Sequence, residues 1–295
     1  MKILVIGLDG VASEHLFSDA RLENLRRLME YGCYGNLSCE VDSDRLGYWM
    51  SLVTGQDLGP LGELGPEELE AITEKAIWKL IEDQKKDVIV VGPPPFISYP
   101  KEIEAHIIDS LIELRSQGEK LTVQEMDLLK NHIYSVSHKQ LDLARSLIQS
   151  DAWEFCQFID DGLYQLQRFE ISQSANDGKD LLADYYLHLD EGIGTILELL
   201  DDSTIVLVVS MCVTKPLDGS FILASSNNPL MGEVEGANLL DIIPTVLELS
   251  GYEVPATMQG KSLVAGKTLH EGKDMDLSAE EEEILREQLS GLGYL

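Results

Sequence analysis

The sequence has little positive charge. Its 295 residues include 22 lysines and arginines against 52 aspartates and glutamates, so the formal net charge is −30. A surface of this kind repels nucleic-acid phosphates and anionic lipid headgroups. We therefore expect neither a nucleic-acid partner nor a membrane partner. The same surface favours cations and basic protein partners.

Cysteine and long apolar runs are also scarce. The four cysteines, Cys33, Cys39, Cys156 and Cys212, form no Cys-x-x-Cys pair and match no zinc-site spacing. Free thiols in a reducing cytosol are the simplest interpretation. The first apolar run, 3–8, ends at Asp9 without a small-residue cleavage site, and no run reaches about 18 residues. These absences predict a cytoplasmic protein.

Short apolar strands alternate with amphipathic helices along the chain, which is typical of a mostly parallel central sheet with helices on both faces. We predict one α/β domain over 1–295, with a helical excursion around 100–150. The strands are predicted at 3–8, 33–39, 87–91, 155–159, 204–210 and 221–224. The helices are predicted at 13–31, 48–54, 67–83, most of 100–150, 178–200, 238–250 and 278–289.

Ligands of open α/β sheets bind beyond the carboxyl ends of the strands. Asp9 ends the first predicted strand, and Met211 and Cys212 follow the strand at 204–210. The loop before Trp49 leads into the N-terminus of a helix, which favours anions. We expect ligand-binding or catalytic residues at these three places.

Seven segments stand in an order and at a spacing that resemble a known family. They are Ile-Gly-Leu-Asp-Gly at 6–10, Leu-Glu-Asn-Leu-Arg-Arg-Leu-Met-Glu-Tyr-Gly at 22–32, Trp-Met-Ser-Leu-Val-Thr-Gly at 49–55, Thr-Ile-Val-Leu-Val-Val-Ser at 204–210, Leu-Leu-Asp-Ile-Ile-Pro-Thr-Val-Leu-Glu-Leu-Ser-Gly at 239–251, Met-Gln-Gly-Lys-Ser-Leu at 258–263 and Leu-Ser-Gly-Leu-Gly-Tyr-Leu at 289–295. Together they resemble the type I phosphodiesterase/nucleotide pyrophosphatase branch of the alkaline phosphatase superfamily. The resemblance covers nearly the whole chain and implies an alkaline-phosphatase-like fold.

The resemblance implies a phosphoryl-transfer site with two divalent metals, zinc or manganese. Asp and His residues hold the metals, and a Thr or Ser attacks phosphorus. Asp9 matches the first metal-binding Asp. The nucleophile is expected four residues before Trp49, and Arg45 stands there. A guanidinium has no nucleophilic atom at neutral pH, so the resemblance implies a degenerate site.

The second metal segment also departs from the family pattern. Counted from Trp153 without a gap, Tyr164 and Arg168 replace an Asp and a His. A shifted register places Asp161 and Gln165 there instead and recovers only one ligand.

The third metal segment, an Asp-His pair in the family, reads Met211-Cys212 here. Cys212 could bind zinc as a thiolate, but Met211 does not replace a carboxylate. No histidine lies between 210 and 269 to supply a last ligand. We predict no catalytic residue, no cofactor and no metal; at most Asp9 would bind one, with Asp161 and Cys212 as weaker candidates.

Two groups of charged residues leave alternatives open. Arg45 and Arg168 either pair with Asp9, which we favour, or bind a phosphate or carboxylate ligand. The acidic residues of 40–44 and the pair 160–161 are expected in solvated loops, although carboxylates of this kind also bind Mg²⁺ or Ca²⁺.

The leading hypothesis is a catalytically degenerate phosphodiesterase-like protein, a pseudoenzyme that acts by binding a protein partner, which its acidic surface predicts to be basic. One alternative is a metal-dependent phosphodiesterase or phosphatase with a rebuilt site, in which water or Cys212 attacks. Another is a module that binds a phosphorylated metabolite at Arg45 and Arg168.

Metal content tests the loss of the metal ligands. Mass spectrometry of protein purified without chelator or nickel resin should find less than about a tenth of an equivalent of zinc or manganese, since a two-metal site requires about two. Two equivalents would contradict the interpretation and favour the enzyme.

Overall fold

The computed structural model describes residues 1–39, 44–59, 65–92, 122–149, 152–168, 177–212 and 218–267. The strands are β1 Ile3–Asp9, β2 Gly32–Ser38, β3 Val88–Val91, β4 Phe155–Asp160, β5 Ile205–Cys212, β6 Asp218–Ala224, β7 Gly232–Glu233 and β8 Ala237–Asn238. The helices are α1 Ser13–Ser18, α2 Glu23–Glu30, α3 Arg45–Thr54, α4 Pro66–Thr73, α5 Ile77–Glu82, α6 Val123–Ile148, α7 Gly162–Arg168, α8 Asp177–Leu197 and α9 Ile242–Leu249.

All eight strands form one sheet in the order β3-β4-β1-β5-β6-β2, with β7 and β8 both paired to β2. Among these strands only β6 runs antiparallel to its neighbours. Leu8 is in register with Asp160 and Asp9 with Met211. The carboxyl ends of β4, β1 and β5 therefore lie side by side at one edge, and the predicted mostly parallel sheet is confirmed.

Each face of the sheet carries its own hydrophobic core. Strand β1 shows the division, since Ile3 and Val5 pack on one side while Leu4, Ile6 and Leu8 pack on the other. Helices α3, α5 and α9 cover the first face, and α1, α2, α6, α7 and α8 cover the second. Burial on both faces explains why β1 and β5 are apolar along almost their whole length.

Two predicted helices are each broken in two. The helix predicted at 13–31 is interrupted at 19–22, where Asp19 accepts hydrogen bonds from the backbone and side chain of Arg21 and fixes a turn. The helix predicted at 67–83 is interrupted at 74–76. In the region 100–150, α6 begins after a capping box of Thr122 and Glu125. Residues 100–121 and the helix predicted at 278–289 lie outside the described residues.

Helix α2 is capped from a distant part of the chain. Its own N-cap residue, Leu22, makes no side-chain hydrogen bond. Asp190 of α8 instead accepts from the backbone N–H groups of Leu25, at 2.9 Å, and Asn24, at 3.1 Å. The Asp190 carboxylate therefore satisfies N–H groups that every helix leaves free and lies at the positive end of the helix dipole.

The segment at 258–263 fastens α3 to the start of α9. The Gln259 N–H donates to the carbonyl of Gly55, at 2.8 Å, and Lys261 N–H donates to the Asp241 carboxylate, at 2.7 Å. Gly260 packs against the carbonyl of Leu240 so closely that a Cβ there would clash. In the described part of the chain, no helix has the length and apolar character needed to cross a membrane.

Replacing Asp190 tests the long-range cap. We expect Asp190→Ala to lower the free energy of unfolding by about 2 kcal/mol or more, because buried N–H groups lose a charged acceptor. Urea denaturation measures the change. The adjacent exposed residue is the matched control, and Glu191→Ala should stay within about 0.5 kcal/mol of the parent. Equal effects of the two substitutions would contradict the capping role.

Candidate functional site

The candidate site lies where β1 ends. Asp9 is the last residue of this strand, and its side chain is fully buried. The next residue, Gly10, has φ of 88° and donates its N–H to the Met211 carbonyl, at 2.8 Å. Strand pairing with β4 and β5 therefore fixes the position of the Asp9 carboxyl group.

Arg45 approaches this carboxyl group from α3. Asp44 caps the helix by accepting from the Gly47 N–H, at 2.7 Å, so Arg45 is its first residue. Its Nε donates to Asp9 Oδ2, and its Nη2 donates to Asp161 Oδ2, at 3.2 Å. Side-chain exposure is 27% for Arg45, 14% for Asp161 and 0% for Asp9. The guanidinium thus covers Asp9 and joins the two carboxylates.

The turn from β4 into α7 supplies the rest of the site. Gln165 donates its side-chain N–H to Asp161 Oδ2, at 2.8 Å. The Arg45 Cζ lies 4.2 Å from the centroid of the Tyr164 ring. Tyr164 comes close to the end of β1, since a Cβ on Gly10 would lie 2.5 Å from the Tyr164 nitrogen. Both registers considered for this segment therefore supply a residue, Asp161 in one and Tyr164 in the other.

Burial dominates the electrostatics of Asp9. It raises the pKa of this carboxyl group to about 6, and the charge and hydrogen bond of Arg45 act in the opposite direction. The Trp49 indole also lowers this pKa. Even so, Asp9 Oδ1 and Trp49 Nε1 are both buried without a partner at hydrogen-bond geometry. Asp9 Oδ2 is therefore bonded to Arg45, and the Trp49 indole is a further donor that acts on this carboxyl group.

The remaining predicted site residues take different positions. Met211 is buried in the core beside β1, and Cys212 is half-buried at the end of β5. Helix α7 ends at Arg168, whose side chain lies outside the described residues, as do the residues 40–43. Asp44 serves as a helix cap.

The expectation of a solvated Asp160 is wrong. Asp160 is 1% exposed, and burial raises its pKa to about 6. Its Oδ1 accepts from the Tyr185 hydroxyl, at 2.9 Å, and from the Gly162 N–H, at 3.0 Å. Its place as the last residue of an apolar strand was the signal in the sequence. The acceptor role could not be read there, because Tyr185 comes from another helix.

The donor set does not fit the pair of divalent metals that the resemblance implies. In the ranges that the structure describes, no group of three or more His, Cys, Asp or Glu side chains is placed to hold a metal ion. The two carboxylates that meet at the site, Asp9 and Asp161, are both bonded to one guanidinium.

Comparison with solved structures identifies the scaffold. The phosphonate monoester hydrolase SpPMH from Silicibacter pomeroyi matches with a TM-score of 0.53 and 12% identity over 89% of this chain and 75% of that chain. Ps i-CgsB, solved with a neocarrahexaose, gives 0.53 and 14% identity over 88% and 74%. The sulfatase PsFucS1 from Pseudoalteromonas sp. gives 0.50 and 14% over 89% and 70%.

The fold is alkaline-phosphatase-like. Sulfatases and phosphonate monoester hydrolases belong to the alkaline phosphatase superfamily, so the predicted fold is confirmed. Neither a family model nor a curated protein sequence matches the chain. At such low identity the alkaline-phosphatase-like scaffold is shown without the chemistry of its neighbours.

The pKa of Asp9 predicts a pH dependence of stability. Its folded pKa of about 6 exceeds the ordinary value of 3.8, so the folded state binds this proton more tightly. The resulting stabilisation is complete below about pH 4 and is lost as the pH rises through 6, and it amounts to about 3 kcal/mol.

Urea denaturation of the parent and Asp9→Asn between pH 4 and pH 7 measures this contribution. The variant should lose about 2–3 kcal/mol less stability over the interval, because its amide does not titrate. Asp160 titrates in both proteins and cancels in the difference. Parallel stability curves would show that Asp9 ionises normally.

Proposed function

We propose that this chain is a catalytically degenerate phosphodiesterase-like protein that acts by binding a basic protein partner. The observation that carries the proposal is the position of Arg45 and its two bonds. Arg45 stands where the resemblance places the nucleophile, and its guanidinium bonds to Asp9 and Asp161.

This arrangement disfavours nucleophilic attack at the end of β1. A guanidinium stays protonated in proteins and offers only donors. Arg45 therefore cannot form a phosphoryl intermediate in place of a Thr or Ser. Its side chain also covers the buried Asp9 carboxyl group, which separates that carboxyl group from a substrate in solution.

The charge of the chain supports the binding role. A net charge of −30 attracts basic proteins over distances of about a Debye length and accelerates their encounter. The same charge opposes nucleic acid and anionic membranes, and we include both exclusions in the proposal, together with a cytoplasmic location. We also propose that the chain belongs to the phosphodiesterase/nucleotide pyrophosphatase branch.

The two alternatives have less support. A phosphate at Arg45 would have to compete with two carboxylates that already hold the guanidinium. A rebuilt enzyme would need further ligands or a nucleophile near Asp9, and in the described part of the chain the neighbouring strand end offers Met211 and the half-buried Cys212.

Hydrolysis assays test the loss of catalysis. With zinc or manganese added, the protein should not hydrolyse nitrophenyl phosphodiesters, phosphomonoesters or sulfate esters above the level of Asp9→Ala, because neither the nucleophile nor a metal cluster is present among the described residues. The Asp9→Ala variant controls for contaminating hydrolases and for free metal. Turnover by the parent that this substitution abolishes would overturn the proposal.

A further inference from the structure

The Arg45 side chain lies in a pocket whose walls come from other parts of the chain. Asp9 ends β1, and Asp161 and Tyr164 lie at the turn from β4 into α7. Arg45 enters from α3, so it is an occupant of the pocket and no part of its walls. A substitution of Arg45 can therefore remove the occupant and leave the residues of the walls unchanged.

The walls match the shape of a guanidinium. Two carboxylates accept from two different nitrogens of the group, Nε and Nη2, and the Tyr164 ring lies 4.2 Å from Cζ. A planar cation with several fixed donors satisfies these contacts together. An ammonium ion has no plane to stack on the ring and cannot place donors in the same fork.

Contacts that do not involve Arg45 hold each wall in place. Gln165 donates to Asp161 Oδ2, at 2.8 Å. The Gln167 side chain donates to the carbonyl of Gly10, at 2.8 Å, and ties α7 to the end of β1. Asp9 is fixed by the pairing of β1 with β5. The pocket should therefore keep its geometry without the guanidinium.

The pocket also offers more acceptor capacity than Arg45 uses. Gln165 Oε1 is buried and has no hydrogen-bond partner among the described residues. Removal of Arg45 leaves the Asp9 and Asp161 carboxyl groups without the guanidinium that bonds to both of them. A free guanidinium that enters the vacancy restores these hydrogen bonds.

We infer that Asp9, Asp161 and Tyr164 form a guanidinium-binding pocket, which Arg45 occupies within the chain and which accepts a free alkylguanidinium when Arg45 is removed. The inference does not depend on the proposed function, since it concerns only the pocket that Arg45 fills.

Chemical rescue of Arg45→Ala tests the inference. Methylguanidinium at 10 mM should raise the Tm of this variant by about 2–3 °C if its Kd is about 1 mM. Methylammonium, manganese and zinc, added at the same concentration of positive charge, should raise the Tm by less than about 1 °C. None of them combines the planar shape of a guanidinium with its forked N–H donors. The parent protein, whose pocket is filled, should not respond to methylguanidinium.

The double variant Arg45→Ala/Asp9→Asn is the matched control, because it keeps the cavity and removes one carboxylate charge. It should bind methylguanidinium at least tenfold more weakly in isothermal titration. Equal stabilisation by methylammonium, or a response only to manganese or zinc, would overturn the inference. An unchanged affinity in the double variant would do the same.

A refolding assay applies if Arg45→Ala does not fold unaided. The folded fraction recovered from urea, read by circular dichroism, should then rise with methylguanidinium and not with methylammonium. Recovery with neither compound would overturn the inference. The proposed function does not depend on that result, because it concerns hydrolysis and partner binding by the parent protein.

Discussion

A carboxylate at the end of a buried parallel strand needs a counter-charge, and the architecture of this edge of the sheet follows from that need. Asp9 is fully buried, and burial raises its pKa to about 6 despite the opposing effect of Arg45. Arg45 supplies the counter-charge from the first turn of α3, and Asp161 shares it. One guanidinium thereby links three segments that are far apart in the sequence.

Ligands of this type of fold bind at the same edge of the sheet, and the scaffold itself does not determine the chemistry there. Parallel strands bring their carboxyl ends together whatever residues follow them. The solved structures that resemble this chain share 12–14% of its sequence and still have the same scaffold. What the edge does depends on a few side chains, and here an arginine joins the carboxylates.

Local patterns predicted much of this structure. The apolar runs of β1 and β5, the glycine after α3 and the position of Asp9 are all visible in short stretches of sequence, and the structure has strands and a helix end there. The spacing from Trp49 also predicted that Arg45 lies at the site. Each of these features depends on neighbours within about ten residues of chain.

Features that depend on distant contacts could not be predicted in this way. Asp190 caps a helix 165 residues away, and no local pattern distinguishes it from the exposed Glu191 beside it. The sequence around Asp160 predicts a solvated loop, because the Tyr185 hydroxyl that donates to this carboxyl group lies 25 residues further along the chain. Gly162 lacks the Cβ that would clash with this hydroxyl, yet glycine after a strand is too common to reveal such a contact.

Asp9 and Asp160 are two buried carboxyl groups that receive different hydrogen-bond donors. They end adjacent strands and are equally buried, and burial raises the pKa of each to about 6. Oδ1 of Asp160 accepts from a neutral hydroxyl and from a backbone N–H. Asp9 instead receives a full positive charge from a side chain that is 27% exposed. The counter-charge of Asp9 therefore comes from one replaceable, partly exposed side chain, whereas the groups that bond to Asp160 belong to the core.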